Sequence, residues 1–272
     1  MSAHPGVPPA LAEALRLEGG GPHWHGEVHD GWDIYGTPHG GYLTALAANA
    51  ALHASGAADV LTITTHFLHK ATLGPIAFTV RDLGGGRRLS SHLVEATQDG
   101  EATMVSLVSV GDRDQLSGPM WQQRTAPDLG ELSARAGSPE DAFLTPALAH
   151  RLGMRLATDG LAFAEGRRSD DAVLRALIDP VDSTPTDQLL ALVACDATPP
   201  AVWNVLGVSG WVPTVELTAQ VRCRPAPGPL RVVATTRSVG DGLLEEDAEV
   251  FDDHGRLVVL SRQLARLSAP SG

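Results

Sequence analysis

The stretch GGYLTALAANAAL (residues 40–52) carries no charge on any face and runs directly into the strand-like segment LTITTHFLHKATLGPI (residues 61–76). A helix that is apolar all round is buried all round. The same succession recurs in the second half, as DQLLALVACDATPP (residues 187–200) followed by VELTAQVRCRPAPGPL (residues 215–230). Laying Gly74-Pro75-Ile76 over Gly228-Pro229-Leu230 puts Thr64 on Thr218 and Lys70 on Arg224. A repeat of this size is a whole domain, not a solenoid unit. The differences between the copies are the first place to look for function.

Working outward, Pro38 suits the first turn of the helix, and Gly56 suits its end after Ser55. Four strands are expected at residues 60–69, 76–82, 88–98 and 101–110, with Gly84-Gly85-Gly86 and Asp99-Gly100 as hairpin turns. One helix followed by an antiparallel meander implies a sheet wrapped around that helix. Residues 113–145 are polar, acidic and rich in Gly, Pro and Ser, and read as a linker between domains at 22–112 and 146–268. In the second copy, short strands are expected near 148–157 and 161–168. The helix should cover 186–197 and stop at Thr198-Pro199-Pro200, with a further helical turn at 201–206. Strands follow at 214–223, 230–238, 243–252 and 256–267. The fold class is α+β, with two antiparallel sheets, each wrapped around a central buried helix and joined edge to edge.

The chain has 272 residues, is 43% hydrophobic and has a formal charge of −12. It has no basic stripe, so neither nucleic acid nor an anionic membrane surface is an expected partner. Lys70 is the only lysine. Cys195 and Cys223 lack metal-ligand spacing and read as small buried residues. The first residues lack the basic start and apolar core of a signal peptide, and no run approaches the ~18 apolar residues needed to span a bilayer. A cytoplasmic location is the expectation.

Asp196 ends the apolar segment LLALVAC. Burial there, and the C-terminal end of a helix dipole, would both raise its pKa and make it a candidate general base. At a helix end that reaches solvent, the same Asp would mean nothing. Superposing the copies puts Asp196 on Asn49, Thr214 on Val60 and Gln263 on Val108. The second copy thus has Asp, Thr and Gln where the first has Asn, Val and Val. Taken alone, Gln263 in LVVLSRQLARL reads as a solvent-facing strand residue.

Together these features resemble the double hot-dog acyl-CoA thioesterases of the type II (TesB-like) class, over about residues 23–267. The matching features are His39-Gly40-Gly41 opening the central helix, THFLHKATLGP and GRRLSSHLVEATQDG, then VACDATPP, PTVELTAQVRCRP and LSRQLARL. The resemblance implies tandem hot-dog domains and hydrolysis of acyl-CoA or acyl-carrier thioesters, with no metal or other cofactor; a homo-oligomer is compatible with it. It also implies that Asp196, Thr214 and Gln263 hold and activate a water. His39, Gly40 and Gly41 would supply oxyanion or substrate contacts, because a helix N-terminus that begins Gly-Gly offers backbone N–H groups at close approach. The alternative role for the glycines is tight packing. Arg222 and Arg224 are candidates for CoA phosphate; Arg87 and Arg88 read better as solvated turn residues. Gln220, Val221 and Arg222 replace the aromatic residues usual in the family's strand, which leaves Thr218 as a second candidate for the role of Thr214.

Other constellations carry less. His23, His25, Glu27 and His29 alternate on one strand face, which reads as a polar face rather than a metal site. His39, His66 and His69 are scattered, and a structural role is favoured for each over metal ligation. Ser209 in GVSGW lacks the setting of a nucleophile elbow, and Gly84-Gly85-Gly86 lacks the helix of a phosphate loop. Two rival functions remain: a non-catalytic acyl-binding or pathway-accessory protein, and a hydratase or dehydratase. The second needs an Asp–His pair, and no His neighbours Asp196 in the sequence.

Overall fold

The computed structural model describes residues 9–86, 88–138, 146–182, 184–208 and 210–267. A short helix α1 (Leu11–Ala14) leads into β1 (Glu18–Gly20) and β2 (His23–Val28). A small ribbon of β3 (Asp33–Ile34) and β4 (Thr37–Pro38) turns the chain into α2 (Gly40–Ser55). The meander β5 (Asp59–Phe67), β6 (Gly74–Gly86), β7 (Leu89–Gln98) and β8 (Glu101–Gly111) completes the first half. The second half comprises α3 (Ala147–Arg151), β9 (Arg155–Leu156), β10 (Val173–Ile178), α4 (Gln188–Ala194), α5 (Trp203–Leu206) and β11 (Thr214–Val221). It ends with β12 (Leu230–Thr235), β13 (Val239–Gly240), β14 (Leu243–Phe251) and β15 (Leu257–Arg266).

Among the described residues, every strand except β3 and β4 belongs to one 13-stranded sheet, ordered β1-β2-β6-β7-β8-β5-β11-β15-β14-β12-β10-β9 with β13 beside β14. The two expected sheets are thus one continuous sheet, joined edge to edge at β5 and β11. The edges of β5 and β11 would each leave a row of unpaired backbone groups, and they satisfy one another. Thr64 stands opposite Thr218, and their hydroxyls lie 2.9 Å apart. Ile63 faces Ala219 and Thr65 faces Leu217. The residues equated by the repeat are therefore direct cross-strand partners, and a pseudo-twofold axis passes between the two threonines. The outer edges are the short β1 and β9, which limits pairing with other chains.

Helix α2 packs against α4 across this axis. Leu46, Ala47 and Ala48 of α2 are fully buried, as are Leu190, Leu192 and Val193 of α4. Each such Leu contributes about 1.5–3 kcal/mol by leaving water. Gly56 ends α2 in the left-handed region (φ 69°), where a glycine has no Cβ to clash. Helix α4 is shorter than expected. The Asp187 side chain caps it by accepting from the N–H groups of Leu189 and Leu190, and Asp196 lies just beyond its end.

Three other expectations fail. Gly84-Gly85-Gly86 lie within β6, with Gly85 opposite Ser90 and Gly86 opposite Leu89, so the hairpin turns beyond them. Pro38 pairs with Asp33 in a ribbon instead of opening the helix, because His39 caps α2 directly. Residues 148–157 and 161–168 are mainly helix α3, the short β9 and 3-10 turns, and the pairing strand is β10. Leu148 and Leu152, both buried, are spaced for one helical face. No helix among the described residues is long and apolar enough to cross a membrane.

Candidate active site

Antiparallel packing of α2 and α4 brings the end of the second helix against the start of the first. Asp196 Oδ2 accepts a hydrogen bond from Gly41 N–H at 2.8 Å, and its side chain is 8% exposed. His39 Nδ1 accepts from Tyr42 N–H at 3.2 Å, so the proton of the neutral ring sits on Nε2. Nε2 then donates to the backbone oxygen of Asp196 at 2.8 Å and lies 3.3 Å from Oδ2. A His does therefore stand beside Asp196, 157 residues away in sequence, which corrects the expectation that none did.

The glycines are required by this approach. A Cβ on Gly40 would sit 2.8 Å from Asp196 Oδ2, and one on Gly41 would sit 2.9 Å from the Val193 carbonyl oxygen. Gly41 N–H is already engaged by Asp196, which removes it as a free oxyanion donor. Gly40 N–H has no hydrogen-bond partner among the described residues. Burial raises the pKa of Asp196. His39, the Gly41 N–H and Gln263 pull the other way without cancelling it. The sequence placed this carboxylate only at the unfavourable end of a helix dipole; the fold also sets it at the favourable end of another.

A β-bulge delivers Thr214 to the same corner. Thr218 and Glu216 lie off the helix-facing side of β11, whose buried residues are Leu217, Ala219 and Val221. The register shifts between Thr214 and Glu216, so that Thr214 pairs with the buried Ala265. An extra residue in a strand rotates the side chains that precede it. Thr214 Oγ1 donates to Gln263 Oε1 at 2.6 Å. Gln263 shares its strand face with buried Ser261 and Ala265, so it points toward the helices and not to solvent. Thr218, the other threonine candidate, sits at the pseudo-twofold axis and donates to Glu216 Oε1 at 2.5 Å.

Sequence reasoning missed Glu246. It lies on β14 directly opposite Gln263, and accepts from Gln263 Nε2 at 3.3 Å. Its other oxygen accepts from Ala201 N–H at 2.7 Å and Thr236 Oγ1 at 3.2 Å. Burial, with the Asp196 carboxylate adding repulsion, pushes its pKa up to about 7. The alternation Leu244, Glu246, Ala248, Val250 was a usable sign, since it puts one Glu on an otherwise apolar strand face.

The arginine candidates do not join this corner. Arg224 grips the buried Asp59 through two bonds of 2.7 Å and reaches Asp114 at 3.0 Å. Such a fork leaves little donor capacity for a phosphate. Arg222 follows the far end of β11, about 26 Å along the strand from Thr214 at ~3.3 Å per residue. Arg88 is exposed in the β6–β7 turn, and Arg87 and Ser209 lie outside the described residues. His23, His25 and Glu27 occupy the exposed face of β2. Cys195 is buried and free, with its thiol pushed up to about 12 by burial.

The symmetry mate of the site is built from other side chains, beside a cavity of about 210 Å³ lined by Leu11, Leu15, Asn49 and Asp187. Asn49 Nδ2 donates to Leu15 O at 2.8 Å, next to helix α1, whose Leu11 and Ala14 are buried. The superposition that puts Asp196 on Asn49 puts Gln188 on Gly41; Gln188 accepts from Val60 N–H at 2.8 Å and donates to Ala58 O at 3.0 Å. A bulge recurs between Val60 and Thr62, but it presents a valine.

Comparison with known proteins agrees with this architecture. Residues 28–111 match the acyl-CoA thioesterase N-terminal domain, and residues 125–267 match the acyl-CoA thioesterase C-terminal domain. An uncharacterised protein of Mycobacterium tuberculosis is 31% identical, over 90% of this chain and 91% of its own length. A structure from Thermobifida fusca, assigned as a thioesterase II, superposes with a TM-score of 0.82 at 29% identity, covering 95% of this chain and 97% of that one. A hot-dog protein of unknown function from Alicyclobacillus acidocaldarius also gives 0.82, at 21% identity, covering 96% and 98%. With matches to both halves, the chain belongs to the acyl-CoA thioesterase family.

Proposed function

We propose that the protein hydrolyses acyl-CoA or acyl-carrier thioesters to a free acid and a thiol, using a water activated at the Asp196 corner. The observation that carries this reading is the convergence of a buried carboxylate, the Thr214–Gln263 pair and the unpartnered Gly40 N–H at one point. Asp196 takes a proton as the water oxygen bonds to the thioester carbon. Thr214 and Gln263 hold the water in line. Gly40 N–H receives the oxyanion that forms on the carbonyl oxygen. Collapse breaks the C–S bond, and the proton on Asp196 goes to the departing thiolate. A carboxyl raised toward neutrality suits both transfers. A thioester has weak carbonyl resonance, so no covalent enzyme intermediate is needed.

The approach of His39 to Asp196 gives a lyase reading its one support. Both ring nitrogens of His39 are engaged, by Tyr42 N–H and by the Asp196 carbonyl, so the imidazole acts as a cap and not as a free acid. Thiol release from a panel of short to long acyl-CoAs, with and without chelator, tests hydrolysis; conversion between enoyl- and 3-hydroxyacyl-CoA tests the lyase. Thiol release that survives chelator is expected. No release across the panel, with enoyl-CoA consumed, would replace the reading with the lyase; neither activity would leave an acyl-binding protein.

A further inference from the structure

We propose that Glu246 is a positioning residue, whose two carboxylate oxygens fix which end of the Gln263 carboxamide faces Asp196. This rests on the thioesterase reading above. A carboxamide turned by 180° has nearly the same shape, so its orientation is set by its neighbours. Gln263 Oε1 accepts from Thr214 at 2.6 Å and Nε2 donates to Glu246 Oε1 at 3.3 Å. In this orientation the Gln263 carboxamide also favours ionised Asp196, against the effect of burial. Turned over, the amide would aim its oxygen at two carboxylates, and Asp196 would lose a donor.

Glu246 is itself held. It is 6% exposed, and its Oε2 takes the Ala201 N–H at 2.7 Å and the Thr236 hydroxyl at 3.2 Å. The site therefore needs acceptors at both ends of this side chain. The first copy lacks the device: His92 stands opposite Val108 as Glu246 stands opposite Gln263, and it is hydrogen-bonded to Ser90 instead. The pairs Arg237–Asp247 and Arg262–Asp247 engage the neighbouring Asp247 and not Glu246.

The chemistry separates a positioning role from simple space filling. Glu246→Gln keeps the shape but has one acceptor oxygen. Pointed at Ala201 and Thr236, that oxygen leaves an NH₂ facing Gln263 and turns the Gln263 amide over. Pointed at Gln263, it sets an NH₂ against the buried Ala201 N–H. Glu246→Asp keeps both acceptors. The test is steady-state kinetics on the full chain, with thermal melts and the side-chain NH₂ resonances of Gln263, assigned by their loss in Gln263→Ala.

Glu246→Gln should lower kcat by ~10-fold or more, with KM little changed, and shift those resonances. Glu246→Asp should recover part of the loss. Wild-type kcat and unshifted resonances in Glu246→Gln would overturn the proposal while leaving the thioesterase reading intact. If Glu246→Gln does not fold, NOEs from the Gln263 NH₂ protons of the wild-type chain decide: contacts to Glu246 support the proposal, and contacts to Thr214 in their place overturn it. If the wild-type chain released no thiol, the functional reading would fall, and the resonances would still settle the amide placement.

Discussion

Two corners of this molecule are related by the axis between Thr64 and Thr218, and they have opposite characters. At one, Asp196, Thr214, Gln263 and Glu246 form a connected polar set in front of two glycines. At the other, Asn49, Val60, Val108 and His92 take the matching places, Gln188 stands in place of a glycine, and Asn49 is tied to the Leu15 carbonyl. The backbone is shared, down to a bulge in each central strand. The fold therefore supplies two places, and on the proposed reading the side chains make only one of them catalytic. Chemistry is read from the site and not from the architecture.

The sharpest way to break the comparison is to make the Asp196 corner resemble the Asn49 corner. Asp196→Asn should lower kcat by ~10²–10⁴-fold, the scale of a lost general base, while its Tm holds or rises because a buried charge is removed. Thiol release near the wild-type rate would refute the assignment. Thr214→Ala and Gln263→Ala should each cost ~10²-fold, more in kcat than in KM, since both hold the water chiefly in the transition state. A silent Thr214→Ala would place the water elsewhere.

The reciprocal change should do something different in kind. Asn49→Asp should add no activity, because Val60 and Val108 stand where the other corner has Thr214 and Gln263, and Asn49 itself is tied to the Leu15 carbonyl. It should lower stability by about 1–3 kcal/mol, because a carboxylate oxygen would face the Leu15 carbonyl in place of the amide donor, as read by thermal melts. A rise in thiol release would show that the Asn49 corner is only one residue from function.

The smallest effect is a pH dependence. Glu246 has its pKa raised in the folded chain, to about 7 from an ordinary 4.5, and Asp196 is raised too. The folded state then binds protons more tightly than the unfolded one, so stability should fall as pH rises from ~4.5 to ~7. Asp59, Asp247 and Asp252 are held low, so their contribution is lost only on stronger acidification. The Tm should be lower at pH 8 than at pH 6. Asp196→Asn should shrink that difference, because it removes one raised carboxyl and the charge that helps raise Glu246. An unchanged difference would mean that the two carboxyls do not interact.

Much of this was legible in the sequence, because period and punctuation are local. The charge-free run of α2, its Gly56 stop and the Asp99-Gly100 turn needed only neighbours along the chain. The repeat even set Thr64 on Thr218, which proved to be a cross-strand pair. The less legible parts depend on distant meetings. His39 and Asp196 touch across the two halves. The bulge that turns Thr214 inward depends on pairing with β15. Arg224 looked available because Asp59, its buried partner, lies in the other copy. Strand β10 was overlooked because its alternation, in VLRALI, is short and interrupted by an arginine.

The central claim is that the Asp196 corner alone binds and hydrolyses substrate. Calorimetric titration of the chain with a non-hydrolysable thioether analogue of its best acyl-CoA substrate counts the corners directly. One analogue bound per chain, with affinity changed by Gly40→Ala and unchanged by Asn49→Ala, is the predicted result. Two equivalent sites per chain, or one site sensitive to Asn49→Ala and indifferent to Gly40→Ala, would contradict it.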